Sequence, residues 1–296
     1  MTLIFSKSHQ NFIYADDTTV TYACKSTTTL INTITSDLAI IKSWLHHNHL
    51  LLNVAKTQAI DFATSNRGRK PEAAAPILLD GHQINYVDTV TLLGISFDRY
   101  LKFDVHTINL CKKINVKLFI LSRCAHLFNL NFKTVLFKLF IQSHFDYCST
   151  VFSHLSTSII QTTRINRCFS RAIHKLLKIN IKGLNVDNQL SALSTFNILP
   201  LQLRRFLGFN MFLFSLCKLN NTSVLFNNIF INRNIKDNLI LPKCHSDLLK
   251  FSFTTISIKL LNLFVLQNLY RSKDNFFAFL KSKINIFFGK SSDFFS

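Results

Sequence analysis

Apolar positions change their spacing along the chain, and those changes divide it into regions. Phe12, Ile13 and Tyr14 lead into Ala15-Asp16-Asp17, and Thr18 to Tyr22 lead out with β-branched and aromatic residues, which is a strand-turn-strand pattern. Leu30, Ile34, Leu38, Ile41 and Leu45 then recur at spacings of 4, 4, 3 and 4, predicting an amphipathic helix from about Thr28 to Asn48. Strand alternation returns around Gln58 to Ala63. Residues 64–76 hold Gly, Pro and the cluster RGRK and read as a loop, its charges a solvated run rather than a nuclear-localisation signal. Two short strand segments are expected next, ILLDGHQIN with a turn at Asp80-Gly81, and TVTLLGISFD from Thr89 to Asp98. From Asp104 the period is helical almost to the end. Ile108, Cys111, Ile114, Leu118 and Leu121 make one stripe, and Leu136, Leu139 and Phe140 begin another.

A later helix, TTRINRCFSRAIHKLLKIN, carries Arg164, Arg167, Arg171, Lys175 and Lys178 at spacings of 3, 4, 4 and 3. Five cations therefore share one face, while Ile165, Phe169, Ala172, Ile173 and Leu176 occupy others. No acidic residue lies between Asp146 and Asp187 to neutralise the row. Like charges at this spacing cost helix stability, and phosphates or acidic partners would relieve that cost. A solvated amphipathic face accounts for the same row without a partner.

Composition narrows the class. Of 296 residues 48% are apolar, and only 6 are Gly and 4 Pro, which excludes a disordered or collagenous chain. A mean hydropathy of +0.22 and 30 Phe raise the question of a membrane. The most apolar stretch, Phe206 to Leu216, is interrupted by Asn210 and bounded by Arg204, Arg205 and Lys218. It falls short of the roughly 18 uncharged residues a bilayer span needs, so no membrane partner is expected. The segment MTLIFSKSHQ lacks the form of a secretory signal. The 7 cysteines are odd in number and form no CxxC pair, which points to reduced intracellular thiols, in nucleus or cytoplasm, without a disulfide-linked partner.

Net charge is +19, unevenly placed. Residues 1–63 hold 4 Lys against 4 Asp; residues 64–149 hold 11 basic against 6 acidic residues, or +5; residues 150–296 hold 19 against 5, or +14. A neutral front bearing carboxylates and a basic rear suit a polyanionic partner such as nucleic acid.

Tyr14-Ala15-Asp16-Asp17 on a hairpin with apolar arms resembles the active-site hairpin of reverse transcriptases. Trp44 to Thr57 (WLHHNHLLLNVAKT) resembles the "LN..KT" segment that follows this hairpin in non-LTR, LINE-type (jockey-like) retrotransposon enzymes, and Leu92-Leu93-Gly94-Ile95 resembles their "LGI" primer-grip strand. LFIQSHFDYCSTVF (Leu139 to Phe152) is similar to the thumb segment with its "DY" pair, and LSTFNILPLQLRRF resembles the downstream "L..LPL..RR" segment. KLLNLFVLQNLYRSKDNFFAFLKSKI resembles the closing stretch, with Leu261 in place of the usual Trp and Phe264-Val265 in place of Leu-Pro. The hairpin and five loosely specified blocks after it occur in a consistent order between about residues 11 and 284.

The resemblance implies an α+β chain: a partial palm over 1–98 with the YADD hairpin, a helix and short strands, a helical thumb over 99–182, and a basic helical C-terminal region over 183–296. It also implies an RNA-directed DNA polymerase, a nucleotidyltransferase of a transposable element, with RNA template and DNA primer as partners. In that chemistry two Mg²⁺ ions, held by hard oxygen ligands, activate the primer 3′-hydroxyl and stabilise the leaving group. Asp16 would be the metal ligand and Asp17 the neighbouring acid, with Lys56 as general acid or charge neutraliser near the leaving group. Leu93 and Gly94 would belong to the primer grip, and the cation row from Arg164 to Lys178 would track phosphates. The family also uses an earlier strand with a third carboxylate and a fingers region, and no acidic residue precedes Asp16. The chain is therefore expected to begin inside the palm, to bind nucleic acid without polymerising, and to leave its catalytic hairpin with an unpaired edge.

Other candidates are weaker. His46, His47 and His49 lack a carboxylate or Cys partner, Cys244-His245 has no second pair, and no Gly-rich phosphate loop or GxSxG occurs. Two further readings stay open: a non-catalytic nucleic-acid-binding remnant acting through its basic helices, and a decayed product that never folds.

Overall fold

The structure, a computed structural model, describes residues 2–4, 10–14, 17–24, 26–62, 76–79, 81–152 and 159–218. Asp16, Asp80, the RGRK cluster, Cys244 and the closing stretch from Lys259 lie outside the described residues. The chain divides into two compact units, Met1–His106 and Thr107–Ser296.

Unit 1 is a sheet with one helix on it. Strands β1 (Thr2–Ile4), β2 (Gln10–Tyr14) and β3 (Asp17–Thr21) precede helix α1 (Thr27–His47), and β4 (Gln58–Ile60), β5 (Leu78–Leu79), β6 (His82–Gln83) and β7 (Asn85–Tyr86) follow. The five-stranded order is β2-β3-β1-β4-β7. β3, β1, β4 and β7 are mutually parallel, and β2 pairs antiparallel to β3 at the edge. β3, α1 and β4 thus form a split βαβ unit with β1 between its two strands. The expected unpaired hairpin edge is corrected in part: β3 is flanked on both sides, because β1 takes its free side, and only β2 remains at the sheet edge.

The helix forms where the periodicity predicts it. The Ser26 hydroxyl caps it, accepting from Thr29 N at 3.5 Å, and Ile34 and Leu38 are its buried positions. They join Val20 and Tyr22 of β3 and its continuation, Ala59 of β4, Leu79 of β5, and the flanking Ile77 and Ile84 in one core cluster. Val20 of β3 and Ala59 of β4, both in register with Leu3 of β1, are buried on the sheet face that α1 covers. The Tyr22 phenol is pushed up from its usual pKa by burial and by the adjacent Asp37 carboxylate.

Two hairpins complete the unit. Gly81, at φ 76°, turns β5 into β6. The segment Thr89 to Asp98, expected as one strand, is two: β8 (Thr89–Leu92) and β9 (Ile95–Asp98) pair antiparallel. Leu93 (φ 47°) and Gly94 (φ 80°) both adopt left-handed backbone, the requirement of a two-residue turn that matches strand twist. The Asp98 carboxylate then accepts from the backbone N–H groups of Tyr100 (3.1 Å), Lys102 (2.9 Å) and Phe103, closing the loop before the next helix. Arg99, 5% exposed, pairs with Asp61 at 3.2 Å.

Unit 2 is helical. α2 (Asp104–Cys124), whose first turn belongs to unit 1, is followed by α3 (Leu130–Leu136), a π-helical stretch Phe137–Gln142, α4 (Ser143–Asp146), α5 (Ser149–Phe152), α6 (Ile159–Leu177), α7 (Val186–Leu193) and α8 (Leu201–Lys218). Along α2 the expected stripe is observed, with Cys111, Ile114 and Leu118 buried. The second stripe is corrected. Leu139 and Phe140 are 61% and 46% exposed, and Phe137, Ile141 and Phe145 are buried instead. Spacing of 4 and 4 through a wider π turn carries these three to the core side. Phe169 of α6 packs edge-on against Phe137 (centroids 6.0 Å) and Phe145 (5.5 Å). α8 packs on α4 and α5, within unit 2. No described helix is long and apolar enough to cross a membrane.

Candidate carboxylate hairpin and basic helix face

The hairpin of unit 1 is closed by Tyr14 and Asp17, partners in the β2–β3 ladder. A two-residue connection, Ala15-Asp16, therefore joins the strands. Tyr14 is 67% exposed, and Asp17 is exposed at the first position of β3. By alternation Asp17 belongs to the row Asp17, Thr19, Thr21, on the face away from Val20 and α1.

Lys56 closes a single 3₁₀ turn, Val54–Lys56, directly before β4. Asn53 shapes that turn: its side-chain oxygen accepts from Lys56 N at 3.1 Å, and its carbonyl accepts from the Thr57 hydroxyl at 2.9 Å. Thr2 pairs with both Thr19 of β3 and Gln58 of β4. Asp17 and Lys56 each precede that level by two residues, so they lie toward the same end of the sheet. Residues widely separated in sequence are thereby brought to one edge. β1 reads Thr2-Leu3-Ile4 and supplies no carboxylate there.

Asp17 is the one described carboxylate at the hairpin tip, and no group of three or more His, Cys, Asp or Glu positions capable of holding a metal occurs among the described residues. His46 and His47 pack edge to face (centroids 6.4 Å) at the end of α1.

Leu93 and Gly94 form the β8–β9 turn and not a strand, with Leu93 42% exposed. The expectation of one strand through Leu93 and Gly94 is corrected, for the positive φ of both residues precludes an extended chain through them.

In unit 2, α6 separates its faces cleanly. Ile165, Cys168, Phe169, Ala172, Ile173, Leu176 and Leu177 are buried, whereas Arg167, Arg171 and Lys175 are exposed and Arg164 is half-buried. Arg171 Nη1 donates to Asn115 Oδ1 of α2 at 3.4 Å. Lys178 departs from the expected row: α6 ends at Leu177, and Lys178 stands past it at φ 63°, its N–H donating to the His174 carbonyl at 3.0 Å. It is a left-handed C-terminal cap, a place usually given to Gly.

Three groups were missed by periodicity. Arg204 and Arg205 of α8 read as the boundary of an apolar stretch, yet Arg204 grips Asp146 of α4 through Nε–Oδ1 (3.0 Å) and Nη2–Oδ2. The "DY" and "RR" blocks quoted above are thus joined in space. Burial pushes the Arg205 guanidinium down to about 10. Cys111 of α2 and Cys168 of α6 are both buried, free thiols. The neighbouring Cys168 thiol and the charges of Arg164, Arg171 and Arg205 lower the Cys111 pKa, while Cys111 and burial push Cys168 up. His144 is held low by burial and by Lys117 and Lys113. The sequence signal for these groups was the doubled Arg in an apolar helix and the isolation of Asp146.

Comparison of the chain with protein-family models, with curated proteins and with solved structures finds no match in any of the three.

Proposed function

We propose that this chain is the palm rear and thumb of a reverse transcriptase of the non-LTR retrotransposon type, and that the activity it carries is binding of RNA template and DNA primer rather than synthesis. The observation that carries the reading is the sheet of unit 1. A split βαβ unit holds the hairpin with Ala15-Asp16 at its tip and brings Lys56 to the same sheet end as Asp17, which is the arrangement the sequence resemblance calls for. Binding without synthesis follows from the flanking strand β1, which has Thr2-Leu3-Ile4 where a third carboxylate would be needed to hold paired Mg²⁺.

Primer extension on an RNA template by the purified chain, with Asp16→Ala as control, tests this. Retention of the primer–template with no extension is expected; Asp16-dependent synthesis would overturn the non-catalytic part.

A second reading, a basic nucleic-acid-binding protein unrelated to polymerases, is favoured by α6 alone: an exposed row of Arg167, Arg171 and Lys175 over an aromatic core. Binding that ignores a matched primer–template and takes any single strand equally supports it over the first.

A further inference from the structure

Unit 2 concentrates positive charge that its own acids do not balance. Arg204 and Arg205 are neighbours on α8 with one carboxylate between them, Asp146. Arg204 takes both of its oxygens. With its amide assigned so that the oxygen faces Arg204, Gln142 accepts from Nη1 and Nη2 at 3.0 and 2.9 Å as well. The same two donors on Arg205, Nε and Nη2, are shielded from solvent and have no hydrogen-bond partner. Its guanidinium lies 5.9 Å from the Phe152 ring centroid, an attraction that leaves those N–H groups unmet.

A shielded guanidinium edge with no acceptor is costly, and buried polar groups are normally paired. Nε and Nη2 are the edge by which Arg grips an anion in two parallel hydrogen bonds, as Arg204 does with its carboxylate. From α6 come Arg164, half-buried, and Arg171, anchored on Asn115 at 3.4 Å. The charges of Arg164, Arg171 and Arg205 all lower the pKa of the Cys111 thiol. No Asp or Glu occurs in sequence between Asp146 and Asp187.

We propose that Arg205 forms a phosphate-binding site in which its Nε and Nη2 edge grips two oxygens of one phosphate. The ligand is a phosphodiester of a nucleic acid strand. That identity rests on the nucleic-acid reading above; the site itself does not. Arg167 and Lys175, exposed on α6, contact the strand as point charges, whereas Arg205 fixes one phosphate by its planar fork.

Two probes separate site from source: inorganic phosphate, followed by the melting temperature of the full chain in otherwise phosphate-free buffer, and a single-stranded RNA oligonucleotide, followed by titration at several salt concentrations. Phosphate should raise the melting temperature of the wild type and of Arg167→Gln, and leave Arg205→Gln unmoved. Arg205→Lys, which keeps the charge and loses the fork, should bind phosphate about tenfold more weakly, and keeps the test open if the Gln variant does not fold. For RNA, Arg205→Gln should weaken binding about tenfold and lower the salt slope by about 0.7. An equal phosphate response in wild type and Arg205→Gln overturns the site. A phosphate response that depends on Arg205 with no RNA binding at all keeps the site and overturns the nucleic-acid reading. A phosphate response that depends on Arg205, with RNA affinity unchanged by Arg205→Gln, keeps the site and reassigns its ligand to free phosphate. RNA binding weakened by Arg205→Gln with no phosphate response in the wild type overturns the site and leaves the nucleic-acid reading standing.

Discussion

α1 of unit 1 and α6 of unit 2 are nearly equal in length, 21 and 19 residues, and each buries one apolar face. Their outer faces differ. On α1, Thr33 and Thr35 donate to the carbonyls four residues back at 2.9 Å, and Ser36 donates to that of Thr33 at 2.8 Å. These hydroxyls are satisfied within the helix itself. On α6 the outer face is cationic, with no acid on the helix. Folding needs only the apolar face, so the cations of α6 are charge that stability would be better without. The comparison separates what the fold requires from what it carries for another purpose.

The largest effect should come from the shared feature, the buried face. Phe169→Ala removes a ring packed against Phe137 and Phe145 and should cost about 3–5 kcal/mol, and Leu38→Ala in α1 about 2–5 kcal/mol. Hydrogen exchange should place the lost protection within unit 2 for the first and within unit 1 for the second. Loss across both units from either change would mean that they fold as one body, and the contrast of faces would then lose its independence.

Replacing Arg164, Arg167 and Arg171 by Gln should act in the opposite sense. Single-stranded RNA affinity should fall about 100-fold and the salt slope by about 2, while the melting temperature stays level or rises as like charges are removed. The matched change on α1, Thr33→Ala with Thr35→Ala, should leave RNA affinity alone. An RNA titration in which both variants behave alike would remove the distinction between the faces.

Much of this contrast was legible in the sequence, because it rests on periodicity. The α1 stripe from Leu30 to Leu45, the hairpin around Asp16 and the separation of Arg164, Arg167, Arg171 and Lys175 from the buried positions of α6 all follow from spacings of 2 or 3.6. What escaped was set by backbone geometry that spacing does not encode. The π-helical stretch moves Phe137 and Ile141 inward and Leu139 outward. Positive φ at Leu93 and Gly94 folds a run of β-formers back on itself, although Leu gives no turn signal. The pairing of β1 with β3 and β4 joins segments far apart in sequence, and it alone sets Asp17 level with Lys56. Arg205 escaped because a doubled Arg in an apolar helix reads as an exposed boundary, and only the prior claim of Arg204 on Asp146 isolates it.

Alkaline pH distinguishes the two units. Tyr22 and Tyr86, both in unit 1, have pKa values raised, first by burial and then by Asp37 and Asp61 respectively. The folded form holds these protons more tightly than the unfolded chain does. Their contribution is therefore complete below the unfolded value of about 10 and is lost as pH rises through the folded values. Urea midpoints of unit 1 should fall as pH rises above about 10, and Tyr22→Phe should flatten that fall. An unchanged slope in the variant would remove Tyr22 from the account.

The smallest effect is the sharpest test of what the outer faces are for. Both helices end on a non-glycine residue in left-handed backbone, His49 (φ 56°) after α1 and Lys178 (φ 63°) after α6. Glycine fits that conformation without the steric penalty of a Cβ, so His49→Gly and Lys178→Gly should each stabilise the chain, by up to about 1 kcal/mol. If the end of α6 meets phosphate, the two substitutions part company on a second measurement. Lys178→Gly should weaken RNA binding about threefold and lower the salt slope by about 0.7, and His49→Gly should leave both unchanged. Stability gained at the expense of binding in one variant alone would show that Lys178 is kept where Gly would fold better because its charge is used. Equal RNA affinity in both would assign Lys178 to capping alone and shorten the cation row to the four residues that α6 itself carries.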